Sequence, residues 1–229
     1  MRTKNKALFV LFSIVSLLAS GSYSQQNTVL PDYPNNYTMY ENLVKMPDNR
    51  SMGSGNAIDI DSQGNIWVFE RCGGNQGACS ENDVDPVLKF SPDGEVLTSF
   101  GAGMFVWPHG IVVDDDDNLW IIDAGVIDGE KGNQIFKFSQ NGEILIELGQ
   151  PGIRGDSPDL FNEPSDLAIG ADGSLYVIDG HISPESNHRV LHLTSEGDYI
   201  ELLICMVVSN CLSSSCAFSS RILMARLRI

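Results

Sequence analysis

Two cysteines are the residues whose type and spacing point most directly to chemistry. Cys72 and Cys79 lie in the glycine-rich segment 71–79, with six residues between them. In an oxidising compartment such a pair would close the loop as a disulfide. A zinc site is the rival interpretation, but zinc-binding pairs usually have about two to four intervening residues and no second pair follows in the repeat region. The disulfide is therefore the favoured prediction.

The acidic residues suggest less chemistry than their number implies. The run Asp114–Asp117 resembles a calcium loop, but it lacks the alternating ligand spacing and the distal glutamate of such loops. A solvated hairpin tip is the better interpretation. The chain carries 30 acidic and 14 basic residues, a net charge of −16, which argues against a nucleic-acid partner.

A threefold internal repeat predicts the elements that must position these residues. Each copy starts with an apolar strand, a polar turn and a strand bearing an aromatic residue, and continues with a second hairpin. Successive copies begin 53 and 56 residues apart. Four short strands at this period are typical of a β-propeller blade, so the sequence predicts an all-β propeller of three blades, with part of another at Tyr40–Lys45. The first hairpins are 58–68, 111–121 and 167–177, and the second hairpins are 87–97, 135–145 and 190–200.

The aromatic position of the repeat is predicted to pack between blades. It is occupied by Trp67, Trp120 and Tyr176. In the second hairpin, His192 occupies the position that Lys89 and Lys137 hold in the other copies, and is therefore expected to face solvent.

The two ends of the chain do not follow the repeat. Residues 1–24 have a basic start, an apolar run and a small-residue exit, which predicts a cleaved signal peptide, with an uncleaved anchor as the alternative. The apolar run is shorter than the roughly 20 residues that span a bilayer. Residues 25–50 are a lead-in and 51–200 form the blades. The segment 201–229 is predicted to be an aberrant tail after an incomplete propeller, or else a membrane-associated segment.

Export predicts a secreted, periplasmic or extracellular protein. In a eukaryote, the sequons that start at Asn36 and Asn49 would then be glycosylation sites.

Several segments together resemble one known family, the NHL-repeat propellers that act as peptidyl-α-hydroxyglycine α-amidating lyases. The similarity covers about residues 50–200. It is specific for the fold and less specific for the lyase, since many non-enzymatic NHL proteins share the blade pattern. The segments that carry it are Trp67–Arg71, Trp107–Asp114, Asn118–Asp123, Phe161–Ala168 and Tyr176–Gly180.

The resemblance implies a six-bladed propeller with metals in its central channel, a zinc ion held by three histidines and a structural calcium ion. His109 matches the first zinc histidine and Arg71 matches a catalytic arginine. His181 stands where the family has a catalytic tyrosine, and a histidine there could accept a proton or bind metal. The other zinc histidines and the late calcium ligands would lie in blades that do not follow in this sequence. His188 and His192 are poor substitutes for them.

Two functions follow from these observations. One is a secreted lyase that cleaves peptidyl-α-hydroxyglycine to peptide amide and glyoxylate, or an inactive piece of such an enzyme. The other is a non-enzymatic propeller that binds a peptide or small molecule at its channel mouth. Each site residue also has an ordinary explanation, since His109 lies where the repeat places Asn56 and Ser165, and Arg71 could pair with Glu70.

Overall fold

The computed structural model describes residues 38–47, 50–75 and 77–205. The chain divides into two compact units, Met1–Met39 and Tyr40–Ile229, and all the elements below belong to the second. The predicted signal peptide, the sequon residues Asn36 and Asn49, and everything after Cys205 lie outside the described residues.

The described chain folds into three antiparallel sheets of four strands, each in the order of the sequence, which confirms the predicted blades. The only helical element named among the described residues is one turn of 3-10 helix, Ala78–Ser80, inside the cysteine loop. The protein is thus an all-β, partial propeller. The first blade contains β1 (Gly55–Ile60), β2 (Ile66–Glu70), β3 (Val87–Phe90) and β4 (Val96–Phe100); the second contains β5 (Pro108–Val113), β6 (Leu119–Ile127), β7 (Lys131–Phe138) and β8 (Ile144–Leu148); the third contains β9 (Pro164–Ile169), β10 (Leu175–Asp179), β11 (Arg189–Leu193) and β12 (Tyr199–Cys205).

The first and second hairpins of each blade, which join its first strand to its second and its third to its fourth, turn through a residue with positive φ at the same repeat position. Glycine fills five of the six positions, because it adopts this conformation without steric cost. The exception is Asp117, at φ 61°. Its carboxylate accepts hydrogen bonds from the backbone N and the Oγ of Ser62, at 2.7 and 2.6 Å, so the tip of one blade is tied to the tip of the one before. The run Asp114–Asp117 is therefore a hairpin tip, as predicted.

The first strands of successive blades lie side by side, since β5 contacts both β1 and β9. The apolar core fills the spaces between blades. Trp67 belongs to a buried cluster that includes Phe105, Ile121 and Phe138 of the second blade. Trp120 belongs to a cluster that includes Leu167 and Val177 of the third. The predicted packing of these tryptophans between blades is confirmed.

The lysine of the repeat lies against the aromatic residue, buried at Lys89 and half-buried at Lys137. Lys89 lies 5.1 Å from the Trp67 ring centroid and pairs with Asp61 at 2.8 Å. Lys137 repeats this arrangement with Trp120 at 5.4 Å and Asp114 at 2.8 Å. A buried cation thus gains both a carboxylate and an aromatic face, which offset its desolvation.

His192 was expected to face solvent, and this expectation is wrong. Its side chain is buried and its ring stacks on Tyr176 with centroids 4.5 Å apart. The cross-strand pair Tyr176–His192 is the register equivalent of Trp67–Lys89, so it inherits the same buried position. Gly170 occupies the place of the aspartate, and the third blade has therefore lost both charges of the pair.

Replacing Asp61 by asparagine should destabilise the protein in a pH-dependent way. Burial raises the pKa of Asp61, but hydrogen bonds from Lys89 and Asn65 outweigh it and hold the pKa at about 2. A carboxylate with a depressed pKa contributes stability above its unfolded pKa, 3.8, and loses it as the pH falls through 2. Urea unfolding at pH 7 should show a loss of about 2 kcal/mol in Asp61→Asn, shrinking towards zero between pH 4 and pH 2. The exposed Asp116→Asn is the matched control, and an equal, pH-independent loss in both variants would contradict the assignment.

A buried carboxylate is the fifth residue of the second strand of every blade, and in β2 and β10 it is also the last. Glu70, Asp123 and Asp179 are each fully buried. Each accepts a hydrogen bond from a backbone N–H in the segment that leads into the first strand of its own blade. The donors are Gly53 at 2.8 Å for Glu70, Val106 at 2.8 Å and Trp107 at 2.6 Å for Asp123, and Asn162 at 2.8 Å for Asp179. We call these three side chains the strand-end carboxylates.

Two predicted boundaries differ from the structure. No strand forms at 40–45; the described residues there form a turn, and the N–H of Lys45 donates to Gly94 O at 3.0 Å. The last strand runs to Cys205, five residues beyond the predicted end of the blades, because Glu201, Leu202, Ile204 and Cys205 all pair with β11. Apolar residues of the presumed tail thus complete the third blade.

Candidate functional site

Cys72 and Cys79 form the predicted disulfide, which settles their competition with a zinc site. Both cysteines are buried and pack in the same apolar cluster as Phe69 and Phe105. The bridge anchors the loop that leaves β2 directly after Arg71. The Glu70 carboxylate, just before Arg71, pairs with Arg50 at 2.6 Å and accepts the Gly73 N–H at 2.9 Å. Arg71 is therefore held between two fixed neighbours.

His109 is the second residue of β5, and its tautomer is fixed by one hydrogen bond. Its Nδ1 lies 2.6 Å from Ser165 O, and since a carbonyl can only accept, Nδ1 carries the proton. The lone pair is then on Nε2. Gly110 allows this close approach, because a Cβ there would lie 2.7 Å from Ile122 Cδ1 and 3.4 Å from Ser165 O.

Burial lowers the pKa of His109, and the nearby His181 and Arg71 lower it further, whereas Ser165 O and Asp166 act in the opposite direction. The ring is therefore neutral at neutral pH. A neutral imidazole with one N–H held by a carbonyl is the form in which histidine binds metals.

His181 follows the strand-end carboxylate of the third blade by two residues. Its backbone N–H donates to Ser186 Oγ at 3.2 Å, and the Gly180 N–H donates to Glu163 O at 3.0 Å. Its ring reaches across to the second blade, where its centroid lies 4.5 Å from that of His109.

Trp107 joins these side chains into one cluster. Its ring centroid lies 5.5 Å from that of His109 and 5.0 Å from that of His181. The guanidinium carbon of Arg71 lies 5.7 Å from the same ring. The structure thus brings together Arg71, His109 and His181, one from each blade, around a tryptophan that the sequence analysis did not single out. The sequence feature that could have identified Trp107 is its position directly before Pro108-His109-Gly110, at the entrance to a first strand.

Two buried polar atoms of the cluster are in a position to bind a hydrogen-bonding ligand. Trp107 Nε1 and His181 Nδ1 are buried and lack a hydrogen-bond partner among the described residues. Burying such groups without a partner costs about 1–3 kcal/mol each, so a ligand or water is expected there. Burial also lowers the pKa of Arg71, as expected of a guanidinium drawn out of water.

A cleft of about 210 Å³ lies against the Trp107 side of the cluster. Apolar side chains such as Val106 and Val126 line it together with two side chains of opposite charge, Arg154 and Glu163. Arg154 also pairs with the exposed Asp128 at 3.3 Å. The cleft is lined by Gly77, Val106, Trp107, Ala124, Gly125, Val126, Arg154 and Glu163.

The cluster fits part of a zinc site. His109 Nε2 is a correctly prepared ligand and His181 is a second imidazole beside it. Within 38–47, 50–75 and 77–205, however, no group of three His, Cys, Asp or Glu side chains could hold a metal ion. A catalytic zinc ion takes three protein ligands, so at least one would have to come from outside these residues. The other two described histidines have different neighbours: His188 approaches Ser186 Oγ, and His192 stacks on Tyr176.

Comparison with known proteins gives consistent relatives at modest identity. The chain is 24% identical over 209 residues to a probable peptidyl-α-hydroxyglycine α-amidating lyase of Caenorhabditis elegans, covering 84% of this chain and 57% of that protein. It is 28% identical over 186 residues to peptidyl-α-hydroxyglycine α-amidating lyase 1 of Drosophila melanogaster, covering 72% and 32%. Over 120 residues it is 29% identical to NHL repeat-containing protein 3 of Mus musculus, covering 50% and 33%. The chain thus spans less than two thirds of the length of each of these relatives.

No family model matches the chain. Among solved structures, virginiamycin B lyase from Staphylococcus aureus aligns with a TM-score of 0.47 at 18% identity, covering 71% of this chain and 45% of that one. Among the described residues, no helix has the length and apolar character needed to cross a membrane.

Proposed function

We propose, from the premise that this chain is a relative of the peptidyl-α-hydroxyglycine α-amidating lyases and of NHL-repeat proteins, that it cleaves the carbon–nitrogen bond of a peptidyl-α-hydroxyglycine. The products would be a peptide amide and glyoxylate. The observation that carries the proposal is the convergence of Arg71, His109 and His181 on Trp107. Three blades each supply one polar group to a single point, which a purely structural repeat does not require.

The reaction needs a base for the substrate hydroxyl, a stabiliser for the developing oxyanion and a proton for the departing nitrogen. We assign the proton transfers to His181, whose Nδ1 has no other partner among the described residues. As the hydroxyl loses its proton to His181, the C=O bond of glyoxylate forms and the C–N bond breaks. His181 then returns the proton to the amide nitrogen, so that atoms and charge balance.

Arg71 would stabilise the negative charge that develops on oxygen, or hold the carboxylate of the substrate. Its contact with the Trp107 face limits its freedom and directs it to the same side as the two imidazoles. His109 Nε2 would hold a zinc ion together with ligands from outside the described residues. A zinc ion bound there supplies a lower pKa to the coordinated hydroxyl. The calcium ion implied by the family resemblance stays a prediction.

The cleft beside Trp107 supports a peptide as the substrate class, since its apolar lining residues, such as Val106 and Val126, can contact the side chain that precedes the hydroxyglycine. We also propose that the protein is exported. The Cys72–Cys79 disulfide supports this proposal, because such bonds persist in oxidising compartments.

The purified protein, with zinc added, should release glyoxylate from a peptidyl-α-hydroxyglycine, and His109→Ala should abolish this release together with stoichiometric zinc binding measured by calorimetry. His192→Gln is the matched control, since it changes a histidine outside the cluster to a neutral polar side chain. Unchanged turnover in His109→Ala would exclude the assigned role.

The second candidate is a propeller that binds a peptide without cleaving it. It is favoured by His181 in the place of the family tyrosine, since an imidazole there can hold a ligand without the chemistry of a phenol. In this case the wild-type protein would bind the peptide, seen as a change in tryptophan fluorescence that Trp107→Phe removes, and would release no glyoxylate.

A further inference from the structure

The strand-end carboxylate of the second blade differs from the other two in what surrounds it. Glu70 pairs with Arg50 at 2.6 Å, and Asp179 pairs with Arg189 at 2.8 Å. Asp123 accepts hydrogen bonds from backbone N–H groups only: Val106 at 2.8 Å, Trp107 at 2.6 Å and Gly125 at 3.3 Å. In the described part of the chain it thus has no arginine partner, although it is equally buried.

Two of these donors belong to the segment that carries Trp107, and the third faces that segment. Gly125 lies so close that a Cβ would come within 2.7 Å of both Trp107 Cβ and Val106 Cγ1. The Ala124 N–H also donates to Trp107 O at 3.1 Å. Residues 123–125 of β6 and residues 106–107 before β5 are therefore held together, and the Asp123 carboxylate accepts two of the hydrogen bonds between them.

We propose that Asp123 is a positioning residue, whose carboxylate fixes the backbone of Val106 and Trp107 and thereby sets where Trp107 holds His109, His181 and Arg71. Trp107 contacts all three side chains, so a shift of its backbone alters their mutual spacing. The inference deepens the proposed function and rests on it for its kinetic consequence, but its structural claim can be tested without any turnover.

The charge of Asp123 supports this role. Burial raises the pKa of Asp123 to about 6, while hydrogen bonds from Trp107, Val106 and Gly125 and the charge of Lys131 act to lower it. Burial by itself therefore favours the neutral, protonated form of Asp123. Three backbone N–H groups nevertheless use its two oxygens as hydrogen-bond acceptors, which favours the charged form. Asparagine has the same shape but turns one of these oxygens into a donor that faces an N–H.

The test compares Asp123→Asn with Asp61→Asn, a buried carboxylate at the distant hairpin tip of the first blade. Both variants should lose stability. Only Asp123→Asn should move the ring-proton NMR signals of His109 and His181, because these rings lie beside the ring current of Trp107. If the protein is a lyase, kcat should fall about tenfold or more with little change in KM, since a misplacement of about 1 Å weakens catalysis more than binding. A folded Asp123→Asn whose histidine signals match the wild type would overturn the proposal.

A second measurement avoids the risk that Asp123→Asn does not fold. In the wild-type protein, the side-chain carboxyl carbon of Asp123 can be followed by NMR as the pH falls. The indole N–H signal of Trp107, a side chain that does not titrate, should show an inflection at the same midpoint, near 6. A Trp107 indole signal that does not follow the Asp123 midpoint would contradict the proposal. Absence of glyoxylate release by the wild type would remove the lyase function and leave this structural result standing.

Discussion

Arg71→Ala should lower kcat for glyoxylate release about 100- to 1000-fold, the usual loss when one stabiliser of a developing oxyanion is removed. The guanidinium is partly withdrawn from water, which strengthens its interaction with a negative oxygen, and the Trp107 face and the disulfide loop hold it in place. Initial rates at saturating peptide, with zinc added, measure the effect. Arg71→Lys should recover only part of the rate, because lysine keeps the charge but loses the planar, two-pronged geometry.

The control for this experiment is Lys45→Ala, which removes an exposed cation that pairs with Glu95 far from the cluster. It should leave kcat unchanged. If Arg71→Ala and Lys45→Ala melt cooperatively and turn over at the wild-type rate, Arg71 has no catalytic role. If neither the wild type nor the variants release glyoxylate, the binding function is favoured instead.

Phe105→Ala should cost about 3–5 kcal/mol in the free energy of unfolding, the largest stability effect we expect of a single substitution. Phe105 is fully buried between the first two blades. Its ring lies 4.9 Å from Phe69, 5.9 Å from Phe136 and 6.3 Å from Phe138, measured between centroids. Its removal leaves a cavity that β-strands fixed on both sides cannot close.

Equilibrium unfolding in urea measures this loss, with Ile144→Ala as the control. Ile144 is an apolar strand residue of the second blade that is 48% exposed, so its truncation should cost well under half as much. Similar losses in the two variants would show that Phe105 does not join the blades in solution.

The blades could be predicted from the sequence because each hairpin is specified by its own residues. Turn residues such as Gly94 and Gly142 favour positive φ, and the tight turn makes the apolar strands on either side of it pair with each other. The strand β12 was placed too short since its last residues, Leu202–Cys205, lack the polar alternation of the other fourth strands. Pairing with β11 nevertheless extends to Cys205.

Other features depend on contacts between blades, which no local pattern encodes. His192 was predicted to be exposed because it occupies the repeat position of Lys89 and Lys137, whereas its place beneath Tyr176 follows from the register of β10 and β11. Arg71, His109 and His181 were selected by resemblance to a family, but their meeting at Trp107 needs the packing of three blades. The strand-end carboxylates were visible in the sequence as an acid at one repeat position, and were missed because acidic side chains are rarely fully buried.

The strand-end carboxylates also suggest how this architecture could change its chemistry without losing its shape. Each carboxylate holds its blade through buried bonds to the backbone, while the cluster residues Arg71 and His181 follow Glu70 and Asp179 by one and two residues. The residues that stabilise the blades and the residues of the cluster are thus neighbours in sequence but have different roles. A library that randomises Arg71 and His181 while keeping the three acids should therefore yield mostly folded proteins with new ligand preferences.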